Sequence, residues 1–193
     1  MALINTTTTG VLGSTFYGDG SGDLTIQQNG VLVNKITSNG LTYRGTGSVL
    51  QVVNTQSGAV ATGTSIIPGD DTIPQITEGT EYLTLAITPT SATIKLLIQI
   101  VWMGASTVPS CTIALFQDAT ANALAATISS MSASSLTTIP LNYFMTAGTT
   151  SSTTFRLRFG SSNAATTTTN GQGGSRFYGG VASTSITIME IAA

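Results

Sequence analysis

The chain has 193 residues, of which 41% are hydrophobic and only 7% are charged, where about 25% charged is usual. That length allows one substantial hydrophobic core with at most a small appendage. The net charge is −2 and there is no cluster of lysine or arginine. Nucleic acid is therefore a poor partner, because binding to phosphates depends on cationic side chains.

Hydroxyl groups supply the polarity that charged residues do not. Ser and Thr make up 57 of the 193 residues, in clusters such as TTTT at 6–9 and TTSSTT at 149–154. Because β-branched Thr fits a pleated surface, this composition favours long β-sheets with Thr and Ser on their outward faces.

Neither a membrane span nor a secretory signal is expected. The longest apolar run, IKLLIQIVWMGA at 94–105, has about half the length that crosses a bilayer, and it contains Lys95 and Gln99. The N-terminus MALINTTTTG lacks the charged and apolar parts of a signal peptide. Synthesis in a cytoplasm is therefore predicted.

Residues 17–30 read YGDGSGDLTIQQNG and invite comparison with a calcium loop. Asp19 and Asp23 lie at a spacing that calcium-binding loops also use. Leu24, however, stands where an EF-hand loop needs glycine, and Gly30 stands where it needs a bidentate glutamate. The sequence therefore predicts no metal site here.

A β-meander is the better interpretation of the N-terminal part. DLTIQQ, Asn29-Gly30 and VLVNKIT predict a hairpin, because Asn-Gly suits a type I′ turn. A second Asn-Gly at 39–40 extends the pattern. These short strands carry too few large apolar residues for an independent core. Residues 1–47 are therefore predicted to form an anchoring and assembly β-meander, with Asp19 and Asp23 as anchor contacts or as a ring of carboxylates around a symmetry axis.

Residues 48–193 show short strands separated by turn residues and no convincing helical periodicity. The one helical competitor is 119–131, which we expect to be a loop with a small strand because Ser and Thr dilute its alanines. Eight strands in this length predict an all-β antiparallel jelly roll or a related sandwich. The predicted strands lie near 48–54, 81–88, 93–103, 110–117, 137–146, 153–160, 175–180 and 183–191.

The alternation of apolar residues distinguishes two kinds of strand. FRLRF places three apolar residues on one face and two arginines on the other, as expected for a sheet with one wet face. TIKLLIQIVWM and ITIMEI are apolar on both faces, and no helices are available to cover the second face. We expect another subunit to cover it, with Trp102, Met189 and Ile191 approaching the contact. The alternative is that these faces pack under long loops of the same chain.

Residue types argue against most catalytic sites. The absence of histidine excludes Ser-His-Asp and Cys-His arrangements and most zinc sites. The single cysteine, Cys111, is predicted to be a buried, inert strand thiol. A carboxylate-pair hydrolase remains possible in principle, because four acidic residues lie close in sequence. They are Asp70, Asp71, Glu78 and Glu81. For the adjacent pair at 70 and 71 we expect a solvated turn between Pro68 and Pro74 instead, because neighbouring residues of an extended chain point to opposite faces.

Two stretches resemble known proteins. TTTTGVLGSTFYGDGSGDLTIQQNGVLVNKIT resembles leader modules of bacteriophage virion proteins. EYLTLAITPTSATIKLLIQIVW, PLNYFMTAGTTSSTTFRLRFG and GGVASTSITIMEI are similar to compact jelly-roll head domains of phage tail fibres, spikes and capsid-decorating proteins. The resemblance implies a non-enzymatic virion component whose head is like the trimeric complement-C1q and tumour-necrosis-factor jelly rolls. It supplies no catalytic, cofactor or metal residues.

The sequence therefore predicts a trimeric surface protein of a bacteriophage virion, which decorates and cements the capsid or forms a short spike or fibre. Its expected partners are further copies of itself and other virion proteins such as major capsid or tail proteins. The alternative is a tail-fibre head that recognises a host cell-surface glycan or protein. A glycan hydrolase and a lectin-like module unrelated to viruses are less favoured.

Overall fold

The computed structural model describes residues 46–193 in full and, before them, the backbone of four strands at 15–18, 24–28, 31–37 and 40–42. The chain divides into two compact units, Met1–Leu50 with Ala192–Ala193, and Gln51–Ile191. Asp19 and Asp23 lie outside the described residues, so their predicted anchoring role stays a prediction.

The described part of the chain contains sixteen strands and one short 3-10 turn, Tyr178–Gly180. The strands are β1 (Thr15–Gly18), β2 (Leu24–Gln28), β3 (Val31–Thr37), β4 (Gly40–Thr42), β5 (Val49–Ser57), β6 (Ala61–Gly63), β7 (Thr80–Ile87), β8 (Lys95–Ser106), β9 (Ser110–Gln117), β10 (Ala125–Ser130), β11 (Leu136–Thr146), β12 (Thr153–Gly160), β13 (Thr167–Thr169), β14 (Gly171–Gln172), β15 (Ser175–Arg176) and β16 (Thr184–Ile191).

The N-terminal unit holds a four-stranded sheet in the order β1-β2-β3-β4. β2 pairs antiparallel with β3, and β3 with β4. The predicted meander and its hairpin are therefore confirmed at the level of strand pairing. The Asn29-Gly30 turn itself lies outside the described residues.

The second unit is a jelly roll of two sheets. The first sheet has the order β5-β16-β8, with β11 on the other side of β8, and the short strands β13 and β6 extend it. The second sheet has the order β10-β9-β12-β7. The eight long strands are, in chain order, β5, β7, β8, β9, β10, β11, β12 and β16. Counted in that order, the first sheet joins the first, eighth, third and sixth. The second sheet joins the second, seventh, fourth and fifth. This is the connectivity of two interlocked Greek keys, so the predicted jelly-roll fold is confirmed.

The core lies between the two sheets and follows the predicted alternation. β8 and β12 each place every second residue inward, and these apolar side chains are buried. Burying each of them stabilises the fold by roughly 1.5–3 kcal/mol. The inward residues of these two strands are Leu96, Ile98, Ile100, Trp102, Phe155, Leu157 and Phe159.

One carboxylate shares this interior. Glu190 lies on the inward face of β16, beside Ile188, and is fully buried. Its oxygens accept hydrogen bonds from the backbone N–H of Thr90 at 2.7 Å, from the Thr90 hydroxyl and from the Gln51 amide. These donors replace water, which is what makes burial of a carboxylate possible.

Two parts of the strand prediction need correction. The predicted strand at 175–180 ends after two residues in β15, because Tyr178, Gly179 and Gly180 adopt positive φ and cannot continue an extended strand. β6 and β13 were not predicted, since three-residue segments of Ala-Thr-Gly and Thr-Thr-Thr show no apolar alternation. The small strand expected within 119–131 is present as β10.

Candidate functional site

The outward face of the first sheet carries a row of apolar side chains, and we call this surface the open face. Leu97 on β8 is in register with Phe144 on β11 and with Met189 on β16. Phe144 is 57% exposed, and Val52 on β5, at the far edge of the sheet, is 54% exposed. Large apolar side chains in register on three neighbouring strands form a continuous patch, which distinguishes them from singly scattered ones.

A second row on the open face is polar but uncharged. Gln99 on β8 is in register with Asn142 and Thr187, and its amide donates to the Asn142 Oδ1 at 3.4 Å. The Asn54 amide donates to the Thr187 Oγ1 at 2.8 Å. Amides and hydroxyls both donate and accept, so this row can pair with an identical row on another copy.

A third row and one charge complete the open face. Val101, which is 43% exposed, lies between Pro140 and Ser185. Lys95 is the one charged side chain at the described outward positions of β8, β11 and β16, and its Nζ donates to the Thr146 Oγ1 at 2.6 Å. The open face therefore offers little charge repulsion to a partner of the same composition.

The outward face of the second sheet differs because the chain itself covers it. We call residues 64–79 the covering loop. Its Ile67 is fully buried with Ala114 and Phe116 of β9, and Ile76 packs against this cluster. The Ile67 N–H donates to the Ser161 carbonyl at 3.0 Å, and the Ile76 N–H donates to the Ala121 carbonyl at 2.7 Å. The second sheet is therefore packed under a long loop of its own chain, an arrangement that the sequence suggested only for the strands of the first sheet.

Two glycines allow the covering loop to lie close to the sheet. A Cβ built on Gly160 would stand 2.7 Å from the carbonyl oxygen of Ser65, and one on Gly79 would stand 2.7 Å from Ile67 Cδ1. Gly79 also has a φ of +65°, which favours glycine. Only residues without a side chain fit at these positions.

The predicted contact residues divide between the interior and the open face. The prediction for Trp102 is corrected, because it is fully buried between the two sheets of its own chain. Its indole N–H donates to Thr169 Oγ1 at 2.8 Å, and its ring lies 6.0 Å from that of Phe159. Met189 and Ile191 do lie outward and are partly exposed, so their contact role stays a prediction.

Phe144 was missed by the sequence analysis, although β11 contained the signal. In LNYFM the buried Leu141 has the inward parity, which places Phe144 and Pro140 on the outward side. Pro140 also marks β11 as an edge strand, since it cannot donate to a further strand.

The four acidic residues near 70–81 do not converge on one point. Glu81 pairs with Arg156 at 3.2 Å and with Arg158 at 3.3 Å. Glu78 Oε2 accepts from the Gln75 N–H at 2.9 Å. No group of three or more potential metal-ligating side chains occurs within the described residues.

Asp70 and Asp71 lie in the exposed bend that was expected for them. Asp70 Oδ1 accepts from the Thr72 N–H at 2.9 Å and from the Thr72 hydroxyl at 2.5 Å. The side-chain hydrogen bond first, and the backbone one second, lower the pKa of Asp70 below its ordinary value. Its carboxylate is therefore held ionised as the acceptor that shapes the bend.

Cys111 is buried on β9, as predicted. Burial raises the pKa of its thiol to about 12, because a thiolate is poorly solvated in the interior. The thiol therefore stays protonated at neutral pH and is a poor nucleophile.

The comparisons with known proteins give only distant likenesses. No known protein family matches the sequence, and no curated protein does either. In the described residues no helix is long and apolar enough for a membrane span.

Solved structures with similar β-sandwiches include Eiger TNF from S. frugiperda, with 10% identity, a TM-score of 0.40, and coverage of 73% of this chain and 93% of that chain. The CBM36-1 domain of a xylanase from the hindgut metagenome of Trinervitermes trinervoides has 10% identity, a TM-score of 0.35 and coverage of 72% and 96%. The infectious bursal disease virus Gt strain structure has 13% identity, a TM-score of 0.36 and coverage of 90% and 48%. None of these assigns a function to this chain.

Proposed function

We propose that the chain is a non-enzymatic structural component of a bacteriophage virion, which self-assembles through the open face into a homotrimer at the particle surface. It would decorate and cement the capsid or form a short spike or fibre. The observation that carries the proposal is an apolar row that no other part of the described chain covers, on a sheet whose counterpart is covered by its own loop. Another molecule must bury this row if it is to be removed from water.

A further copy of the same chain is the occupant that the open face fits best. The row of amides and hydroxyls is self-complementary, and Lys95 is the one charge among the outward positions of the three strands that form the rows. Two or three identical faces can therefore meet with little like-charge repulsion. The resemblance to trimeric jelly-roll heads supports three-fold symmetry.

The virion location rests on the resemblance of the leader and head segments to phage virion proteins. It is tested by labelling purified particles of the phage that encodes this chain with antibodies raised against residues 51–191. We expect gold label at one defined position, on the capsid or at the tail. Absence of the protein from washed particles, with the protein left in the soluble lysate, would contradict the proposal.

Residues 1–47 are proposed to attach the trimer to other virion proteins through Asp19 and Asp23. The full chain with both residues changed to asparagine should still self-associate but should no longer bind particles that lack the native protein. The matched control changes Asp70 and Asp71 to asparagine. Unchanged attachment by the Asp19 and Asp23 variant would remove their anchoring role.

A further inference from the structure

Two adjoining cavities lie between residues 68–74 of the covering loop and the outward face of β9 and β10. Their volumes are about 520 and 380 Å³, within the range of ligand sites. They share Asp70, Thr72, Pro74 and Ala126, so they form one continuous trough, which we call the loop groove.

The floor of the loop groove contains a hydroxyl that lacks a partner. Thr112 lies on the outward side of β9, in register with Ile128 of β10, and it lines the larger cavity. It is only 5% exposed, and its Oγ1 has no hydrogen-bond partner within the described residues. Buried polar atoms without a partner are rare in native proteins. A ligand group in the groove would provide the missing hydrogen bond after a rotation of the side chain.

The wall of the loop groove supplies carboxylate acceptors. The protein's hydrogen bonds to Asp70 use Oδ1 and the Thr72 N–H and hydroxyl, which leaves Oδ2 available. Asp71 lines the smaller cavity, and no hydrogen bond to its side chain is found in the described part of the chain. Both carboxylates can therefore accept hydrogen bonds from a ligand that carries hydroxyl groups.

The groove is built before any ligand arrives. The Ala123 N–H donates to the Pro74 carbonyl at 2.9 Å, and the Ile76 N–H donates to the Ala121 carbonyl. The Gln75 amide donates to Asn122 Oδ1 at 3.0 Å. These bonds fix residues 74–76 of the covering loop against the segment that precedes β10, which reduces the ordering cost of binding.

The composition of the groove selects the class of ligand. No lysine or arginine lines it, and two carboxylates do, so phosphates, sulfates and uronic acids would be repelled. Ile128, which is 52% exposed, and two prolines provide apolar patches between the polar groups. A sugar ring carries hydroxyl groups alternating with apolar C–H faces, so its surface matches the carboxylates and apolar patches of the groove. We infer that the loop groove binds a neutral oligosaccharide chain.

An extended peptide fits the same region less well. A peptide that added to the free edge of β10 would lie about 4.8 Å beyond that strand. Thr112 belongs to β9, the next strand inward. A ligand that reaches Thr112 must therefore lie across the face of the sheet.

The test uses the purified full chain on an array of immobilised neutral gluco-, manno- and galacto-oligosaccharides and N-acetylglucosamine chains. Sialylated and sulfated oligosaccharides and extended peptides are printed on the same array. The strongest binder is then titrated by calorimetry with the Asp71→Asn and Thr112→Val variants. Thr138→Val, an exposed position on β11 of the other sheet, is the matched control.

We expect a neutral oligosaccharide to bind and each groove variant to lower its affinity about tenfold, the effect of losing roughly one hydrogen bond. Thr138→Val should leave the affinity unchanged. Thr112→Val is nearly isosteric and removes an unpaired hydroxyl, so its melting temperature should be equal to or above that of the native chain. If Thr112 has only a structural role, Thr112→Val should show the same melting temperature or a higher one, and its affinity for the oligosaccharide should not fall.

Three results would overturn the inference: no binding to any neutral oligosaccharide, a preference for the anionic sugars or the peptides, or full affinity in both groove variants. The assay reads the isolated chain and does not require particles. Its failure would therefore leave the proposed assembly role standing, and failure of particle labelling would leave the groove standing.

Discussion

Each outward face of the jelly roll carries a phenylalanine, but one is buried and the other is exposed. Phe116 on the second sheet is fully buried under the covering loop, whereas Phe144 on the first sheet is 57% exposed. Both belong to strands of the same sandwich. The difference shows that an apolar residue at an outward strand position does not by itself indicate a subunit contact. What matters is whether the chain has a segment that can lie over it.

The covering loop reaches only one of the two faces for local reasons. It connects β6 to β7, and Gly160 and Gly79 allow its backbone to approach the second sheet. Arg158 holds its end by donating to the carbonyl oxygens of Glu78 at 2.7 Å and Gly79 at 2.9 Å. The open face has no such segment among the described residues. We propose that another molecule covers its apolar row.

The largest effect that separates the two faces should come from the phenylalanines themselves. Phe116→Ala removes a fully buried ring and should lower the free energy of unfolding by about 3–5 kcal/mol. Phe144→Ala should cost less than about 1 kcal/mol in separated subunits, because the ring is already largely in water. Urea unfolding followed by circular dichroism, at low and high protein concentration, measures both. Equal losses in the two variants would contradict the distinction between the faces.

A methyl group on Gly160 should lift the covering loop. The added Cβ would stand 2.7 Å from the Ser65 carbonyl oxygen, and overpacking of this kind costs about 1–3 kcal/mol. Gly69→Ala in the same loop is the control, since its nearest neighbour is the Ser162 Cβ at 3.2 Å. Thermal unfolding should show a larger loss for Gly160→Ala. The reverse order would mean that the close contact does not hold the loop.

The two arginines on β12 should differ although they share Glu81. Arg158 adds hydrogen bonds to two backbone carbonyls of the covering loop, so Arg158→Met should cost about 1–3 kcal/mol. Arg156 is more exposed and donates to one backbone carbonyl, that of Asp118 at 2.9 Å, so Arg156→Met should cost less, about 1 kcal/mol. Chemical unfolding of the two variants tests this. In 0.5 M salt the Arg156 effect should lose the larger fraction, because salt screens the shared ion pair. An Arg158 effect that salt abolishes entirely would argue against the carbonyl contacts.

The effect that is absent at neutral pH concerns the thiol inside the covered sheet. Burial raises the pKa of Cys111 from 9.0 to about 12, so the folded chain holds this proton more tightly than the unfolded chain. Its contribution to stability is complete below pH 9 and is lost as the pH rises from 9 toward 12. The native chain should lose more stability over that interval than Cys111→Ala does. A thiol reagent at pH 8 should label Cys111 only after unfolding, and rapid labelling of the folded chain would contradict its burial.

Much of the fold could be predicted from the alternation of residues, since the period of two fixes which side of each long strand is buried. Phe155, Leu157 and Phe159 show this directly. Alternation could not show which outward face would be covered, because that depends on where the segment 64–79 lies in three dimensions. It also could not show which of the two faces of β8 was inward, and so Trp102 was placed at the wrong surface.

Polar residues in the interior were the other limit. Glu190 and the Thr167–Thr169 strand are buried, although composition alone favours exposure for both. Their burial depends on partners distant in sequence, such as Thr90 for Glu190 and Trp102 for Thr169. The loop groove escaped prediction for the same reason, because Asp70, Thr112 and Ile128 meet only after the sandwich has formed.

Light scattering coupled to size-exclusion chromatography tests the central claim most directly. The native chain should elute with three times its subunit mass of 19.7 kDa. Phe144→Asp places a charge in the apolar row of the open face and should elute at the subunit mass with unchanged circular dichroism. Ile73→Asp, at an exposed apolar position of the covering loop, should still assemble. A native chain that stays at 19.7 kDa at every concentration, or a Phe144→Asp variant that assembles normally, would contradict the account.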